Sequence, residues 1–175
     1  MPPVEVERTW LEMESSGSLT GRAQLPEGVT LRREQVTPAE YRELYGTVGR
    51  DYHWRDRLAW TEAQLLEHLA SPAIAVWVMR AGGSVRGYFE LARHDDGSVE
   101  IAYFGLMPNA IGSGLGRALL TAAVEAAWGM APAPTRVWLH TCTLDHPAAL
   151  ANYLARGFRV TRRERYTVDV PAAQA

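Results

Sequence analysis

Gly112, Gly114 and Gly116 occupy alternate positions in NAIGSGLG (Asn109 to Gly116), between a strand-forming run, SVEIAYFGLMP (Ser98 to Pro108), and a helix-forming one, RALLTAAVEAAW. A strand that turns through glycines straight into a helix constrains the fold more than any other feature of this chain. In the helix, Leu119, Leu120, Ala123, Val124 and Ala127 share one face, so it packs on a sheet. The glycines let successive backbone N–H groups converge on an anion at the helix N-terminus with no Cβ in the way, and a pyrophosphate is the natural guest. Residue identity excludes two familiar glycine loops. The dinucleotide fingerprint needs glycine or alanine three positions after its second glycine, where Arg117 stands. The nucleoside-triphosphate loop needs a lysine, and all 18 basic side chains are arginine.

The flanking segments supply the other layers. VTLRREQV (Val29 to Val36) reads as a strand, and Thr37-Pro38-Ala39-Glu40 as a capped helix start running to about Val48. Thr61-Glu62-Ala63-Gln64 opens a second helix with a capping-box variant, and Ser71-Pro72 ends it. Ala73 to Arg80 and Val85 to Arg93 are strands joined by Gly82-Gly83, an antiparallel hairpin; after His94 to Gly97 the meander continues into the pre-loop strand. Arg136 to Leu144 is a further strand. The helix opened by His146-Pro147 is closed by Gly157 at C′, and FRVTRRERYTVDV ends as one or two strands. Only the glycine loop requires a parallel crossover, so the class is α/β: a mixed, mostly antiparallel central sheet flanked by helices. Residues 1–24 read as an N-terminal extension tethered by the Gly/Ser-rich Glu14 to Arg22, in which Val4, Val6 and Trp10 can form an extra strand; residues 25–175 read as one domain.

Composition narrows the function. With 20 acidic against 18 basic side chains and a net charge of −2, the footprint of a nucleic-acid binder is missing. The arginine cluster Arg156, Arg159, Arg162, Arg163 and Arg165 reads either as solvated strand-edge charge or as a contact for a phosphate-bearing ligand. A single cysteine, Cys142, precludes an internal disulfide and a thiolate zinc cluster and fits a reducing cytoplasm. His140, Cys142, Asp145 and His146 are metal-capable types whose spacing matches no common ligand set, so no metal is expected. The start MPPVEVERTW lacks the basic and apolar regions of a secretory signal, and no run approaches the ~18 apolar residues of a membrane span. The expectation is a cytoplasmic protein that binds neither membrane nor nucleic acid.

Glu100 to Leu120, followed by HPAALANYLARGF (His146 to Phe158), resembles the GNAT superfamily of acyl-CoA-dependent N-acetyltransferases. The first run is similar to the family's pantetheine strand and pyrophosphate loop, Gln/Arg-x-x-Gly-x-Gly/Ala, with Gly114 and Gly116 at the small positions. The second is similar to its later helix, with Tyr153 ahead of Gly157-Phe158. Ile111 stands where the family usually has Gln or Arg, and His146 where it usually has Asn. The resemblance covers about Val29 to Val170 and implies a sheet splayed at an acetyl-CoA site. It also implies transfer of an acetyl group to a primary amine by direct attack in a ternary complex, and it allows a homodimer. The acceptor, a small molecule or a peptide, is not specified. A non-catalytic acyl-CoA sensor is the alternative.

The resemblance further implies roles for particular residues. On the pantetheine strand, Leu106 and Met107 would contact acetyl-CoA through their backbone, aided by a bulge for which Gly105 is well placed. In the loop, the contacts would come from Ile111, Gly112, Ser113 and Gly114, continuing into Leu115, Gly116 and Arg117. Tyr153 would protonate the departing thiolate; the bland alternative is core packing beside Leu150 and Leu154. Glu100 would be the general base, with Glu90 its competitor. A three-residue turn at Asp95 to Gly97 puts the two glutamates on one face and a two-residue turn separates them, so register decides. Tyr52, His53, Trp54, Asp56, Arg57 and Trp60 lie where the family builds its acceptor pocket, and they read equally as a hydrophobic cluster beneath a loop.

Overall fold

A computed structural model describes residues 3–170. Seven strands form one sheet: β1 (Val4–Met13), β2 (Val29–Arg33), β3 (Ile74–Ala81), β4 (Ser84–Arg93), β5 (Val99–Leu106), β6 (Val137–Cys142) and β7 (Arg159–Val168). Their spatial order is β2-β3-β4-β5-β6-β1-β7. The helices are α1 (Pro38–Gly49), α2 (Glu62–Ala70), α3 (Leu115–Trp128) and α4 (Ala149–Arg156). Every neighbouring pair is antiparallel except β5 and β6, the pair bridged by the glycine loop and α3.

The capping box expected at Thr61 forms, and the capped start at Thr37 is a full capping box as well. Thr37 Oγ1 accepts from the Glu40 N–H at 3.2 Å while the Glu40 carboxylate accepts from the Thr37 N–H at 2.9 Å, and Thr61 with Gln64 does the same at 3.2 and 2.8 Å. These caps start α1 and α2 on one face of the sheet, where Tyr41, Tyr45, Val48 and Leu65 pack on Val78 and Tyr88. On the other face α3 and α4 bury Leu119, Val124 and Tyr153 against Leu11, Leu91, Ile101 and Leu139. Among the described residues no helix is long and apolar enough to cross a membrane.

The N-terminal segment is more than an added edge strand. β1 lies between β6 and β7, with Leu11 opposite Leu139 on one side and Val160 on the other. Thr9, Leu11 and Met13 alternate into the core, so the strand buries one face like its neighbours. The segment after it is tied down as well: the Thr20 N–H donates to the Arg156 carbonyl at 3.0 Å, and the Ala23 N–H to Glu125 Oε1 at 2.9 Å. β7, a single strand at the sheet edge, carries Arg159, Arg162, Arg163 and Arg165 of the arginine cluster as surface pairs, while Arg156 ends α4 and donates to the Thr20 carbonyl at 3.2 Å. Arg159 binds Glu12 and Glu14, both at 2.9 Å, and Arg165 binds Glu7 at 3.2 Å. This is the strand-edge reading of those arginines, and each exposed pair is worth ~0–1 kcal/mol.

α4 begins at Ala149, three residues after His146, and ends at Gly157 with φ 108°. A Cβ at Gly157 would overlap the Ser18 carbonyl oxygen, and an L side chain is strained at that φ. Gly157→Ala is therefore expected to cost about 2 kcal/mol, read as a fall of several degrees in Tm by thermal unfolding. An unchanged Tm would show that the 14–22 segment yields without cost.

Candidate active site

β5 and β6 are paired only at Val99–Val137 and Glu100–Trp138 and then diverge. A cavity of ≈ 1210 Å³ occupies the opening. Both sheet faces reach it through the gap: Leu120, Asn152 and Tyr153 from the α3/α4 side, and Tyr45, Trp54 and Arg57 from the α1/α2 side. The divergence begins beside a bulge. Leu91 pairs with Ile101 and Glu90 with Tyr103, leaving Ala102 without a partner on β4. The bulged residue is thus Ala102, not Gly105. Gly105 serves a different need: a Cβ there would lie 2.5 Å from Val48 Cγ1, so its absence lets α1 pack directly on β5.

The turn settles which way the glutamates face. Arg93 pairs with Val99 and the His94 N–H donates to the Ser98 carbonyl at 2.9 Å, so Asp95 to Gly97 is a three-residue turn and both glutamates lie on the α1/α2 face. Their surroundings differ. Glu100 sits at the crotch of the split, lines the cavity with 15% of its side chain exposed, and its Oε2 lies 3.0 Å from His94 Nε2. Glu90 is fully buried and does not line the cavity. Its carboxylate accepts from Tyr41 Oη at 2.6 Å and Arg57 Nη2 at 3.3 Å, and lies 2.9 Å from His68 Nε2. Burial alone would raise the Glu90 pKa, but the His68 bond, the Arg57 charge and the Tyr41 bond together hold it below the usual carboxylate value. Glu90 anchors a loop, and Glu100 is the glutamate that a substrate in the cavity can reach.

That loop is the aromatic stretch after α1. The Arg57 guanidinium lies over the rings of Trp60 at 4.2 Å and Tyr103 at 5.1 Å, and Trp54 packs on Tyr45 and Tyr103. Tyr52, His53, Trp54, Asp56 and Arg57 line the cavity, whereas Trp60 packs away from it against His68. Pocket wall and hydrophobic cluster are thus the inner and outer sides of one structure.

At the other end of the cavity Gly112 and Gly114 have φ of 82° and 83°, and a Cβ added to either would meet nothing within 4 Å. Gly114 caps the 14-residue α3 with no side-chain bond, so the first-turn N–H groups of Gly116 and Arg117 point outward without helical partners. This open cradle of donors at a positive helix end fits a pyrophosphate. Ile111, Gly112, Gly114, Gly116, Arg117 and Leu106 line the cavity. Met107, Ser113 and Leu115 do not. The Met107 N–H donates to the Arg86 carbonyl at 2.8 Å and its side chain is buried among the aromatics of α1. The Ser113 hydroxyl donates to the Ala110 carbonyl, and Leu115 belongs to the core. Backbone pairing and burial have claimed these three.

Tyr153 lines the cavity and is only 9% exposed, whereas Leu154 on the next position faces solvent. Burial first, and then the Asp145 carboxylate, push its phenol well above the ordinary value, so it holds its proton across the working pH range. Across the gap, His140 and Cys142 of β6 line the cavity next to Arg8 of β1. Desolvation between the cleft walls and the Arg8 charge lower the His140 pKa; burial raises that of Cys142. Among the described residues no cluster of three or more His, Cys, Asp or Glu could hold a metal. Sequence reasoning did not single out Arg8, Tyr41 or His68. The one available signal was Arg8 itself, a cation sharing a strand face with Val4, Val6 and Trp10.

A family model described as Acetyltransferase (GNAT) family matches residues 35–158. A protein of Mycobacterium bovis named an uncharacterized N-acetyltransferase is 32% identical over 102 residues, 57% of this chain and 62% of that protein. Among solved structures, a GCN5-related N-acetyltransferase from Kribbella flavida superposes with a TM-score of 0.65 at 21% identity, over 92% of this chain and 56% of that one. Another, from Sphaerobacter thermophilus, gives 0.66 at 20% identity, over 95% and 52%. The chain therefore spans just over half of each of those two solved chains, and their likeness is one of fold.

Proposed function

The chain belongs to the acetyltransferase (GNAT) family, and from that premise we propose that it transfers an acetyl group from acetyl-CoA to a primary amine by direct attack, with no covalent enzyme intermediate. The observation that carries the reading is the glycine cradle at the start of α3, opening onto the cavity where β5 and β6 part. Acetyl-CoA supplies the activated acyl carbon and a thiolate leaving group. The backbone N–H groups around Gly114 and Gly116 bind its pyrophosphate. Glu100 Oε2, steadied by His94, takes the proton that the amine sheds, and the Tyr153 phenol, kept protonated by burial, gives its proton to the thiolate. The aromatic wall and Asp56 hold the amine on the α1/α2 face.

The test is thermal unfolding with acetyl-CoA, coenzyme A, NAD or ATP at equal concentration. A ligand at 100 times its Kd adds ~2.7 kcal/mol, several degrees for a domain of this size. The expected result is a shift with the two coenzyme A forms and none with NAD or ATP. No shift with either coenzyme A form would reduce the glycine loop to a turn and overturn the reading. Binding without thiol release over a broad amine panel would make the domain an acyl-CoA sensor.

A further inference from the structure

Arg8 is a cation in the cavity wall that the chemistry above leaves unused. It reaches the cavity from β1, outside the segment matched by the family model. Its Nε is buried without a hydrogen-bond partner, and its Nη2 donates to Tyr166 Oη at 3.2 Å. The guanidinium is flanked by the rings of Tyr166 at 4.8 Å and Trp10 at 5.7 Å. No carboxylate of the described residues forms an ion pair with it. Glu164, opposite Arg8 on β7, pairs instead with Arg162 at 3.6 Å. Asp145 accepts from Thr141 Oγ1 at 2.5 Å and the Cys142 N–H at 2.9 Å, and Asp56 accepts from Tyr103 Oη at 3.3 Å. Of the acids that line the cavity, Glu100 is bonded to His94, Asp145 and Asp56 accept from these donors, and Asp169, just past β7, forms no ion pair with Arg8, whose guanidinium lines the cavity without a carboxylate. A guanidinium in a cavity wall without a carboxylate partner can receive an anion that enters the cavity.

Its position says which ligand. Strand pairing puts Glu100, Trp138 and Glu12 at one level, and Arg8 four positions further along β1 and two strands across from β5, about 16 Å in all at the rise and spacing of extended strands. Glu100, Trp138, His140, Cys142 and Arg8 all lie on the α1/α2 face, away from the α3/α4 side where the helix cradle approaches the gap. Two side chains reaching toward each other across that span leave room for a compact molecule with an amine at the Glu100 end and an anion at the Arg8 end. We propose that the acceptor is an amine that also carries a carboxylate, of the amino acid or short peptide class, and that Arg8 is the specificity-determining residue that binds the carboxylate. Tyr166 and Trp10 hold the guanidinium plane in place for a two-point contact. The amine-acetylation reading supplies the reaction on which this rests.

The test separates the two. Binding of N-acetyl-leucine and N-acetyl-phenylalanine, which retain the carboxylate of an acetylated product, is compared with that of their primary amides by tryptophan fluorescence and calorimetry. Wild-type protein and Arg8→Gln are used, with coenzyme A binding measured in parallel on both. The expected result is at least tenfold tighter binding of the acids than the amides by the wild type, abolished in Arg8→Gln and partly restored in Arg8→Lys, with coenzyme A affinity unchanged. Equal binding of acid and amide by the wild type, or no binding of the acids at millimolar concentration, would overturn the proposal without any variant having to fold. Undiminished acid preference in Arg8→Gln would assign the carboxylate to another group and remove Arg8. Loss of coenzyme A binding in the wild type would instead defeat the acetylation reading, leaving the carboxylate preference to stand or fall by itself.

Discussion

Glu100→Gln is expected to lower turnover about 100-fold or more, the usual worth of a general base, with coenzyme A affinity unchanged. The amide occupies the same volume and can still accept the bond from His94, so the crotch between β5 and β6 keeps its shape and only the proton acceptor is lost. Tyr153→Phe removes the proposed proton donor at the opposite side of the gap and should also depress kcat more than KM. Because burial pushes the Tyr153 phenol upward, its ionisation produces no basic fall in the wild-type rate below the ordinary phenol pKa of about 10. Steady-state rates from pH 6 to 9.5, taken as the order of the working range, would check this. Unchanged kcat in either variant would remove that residue from the mechanism; a basic limb lost in Tyr153→Phe would show that the phenol titrates in the working range.

Glu90→Leu is expected to cost about 3 kcal/mol or more, because it leaves the Arg57 guanidinium, 13% exposed, without the carboxylate it was desolvated to meet. At two to four degrees per kcal/mol for a domain of this size, Tm should fall by about 10 °C. The pH dependence has a definite sign. The folded-state pKa of Glu90 lies below its unfolded value, so the unfolded chain takes up the proton first as pH falls. Its contribution is therefore complete above the usual carboxylate pKa and disappears as pH drops through the lower, folded value. Urea titrations at pH 7 and at successively lower pH should show wild type and variant converging in acid. A constant gap between them would mean that packing, not charge, is what Glu90 provides. Since Arg57 also stacks on Trp60 and Tyr103, the variant should loosen the aromatic wall and raise KM for the amine more than for acetyl-CoA.

Much of this architecture was legible before any coordinates. The capped helix start at Thr37, the capping box at Thr61, the hairpin at Gly82-Gly83, the glycine loop opening α3 and the αL close at Gly157 are local events, set by residues a few positions apart, and they form as read. The candidate site residues Gly112, Gly114, Gly116, Glu100 and Tyr153, picked out by sequence, line one cavity although 53 positions separate the last two. Where reading was incomplete, the missing fact was a distant neighbour. Gly105 looks like a bulge residue until Val48 of α1 is seen to need its missing side chain. Met107, Ser113 and Leu115 belong to the right segment but spend their polar groups or side chains on Arg86, Ala110 and the core.

The elements, the mixed sheet and the glycine loop at the start of α3 follow from local chemistry, because capping, turn chemistry and amphipathic period act within a few residues. Long-range packing is what inserts β1 between β6 and β7, buries Glu90 while Glu100 faces the cavity, and brings Arg8 there with no ion-pair partner among the described residues. Each of those depends on pairings between segments more than 40 positions apart, such as Arg8 with Cys142 or Tyr41 with Glu90, which no local pattern encodes. Strand register and burial turn a residue's chemistry into a role, and both are properties of the assembled sheet.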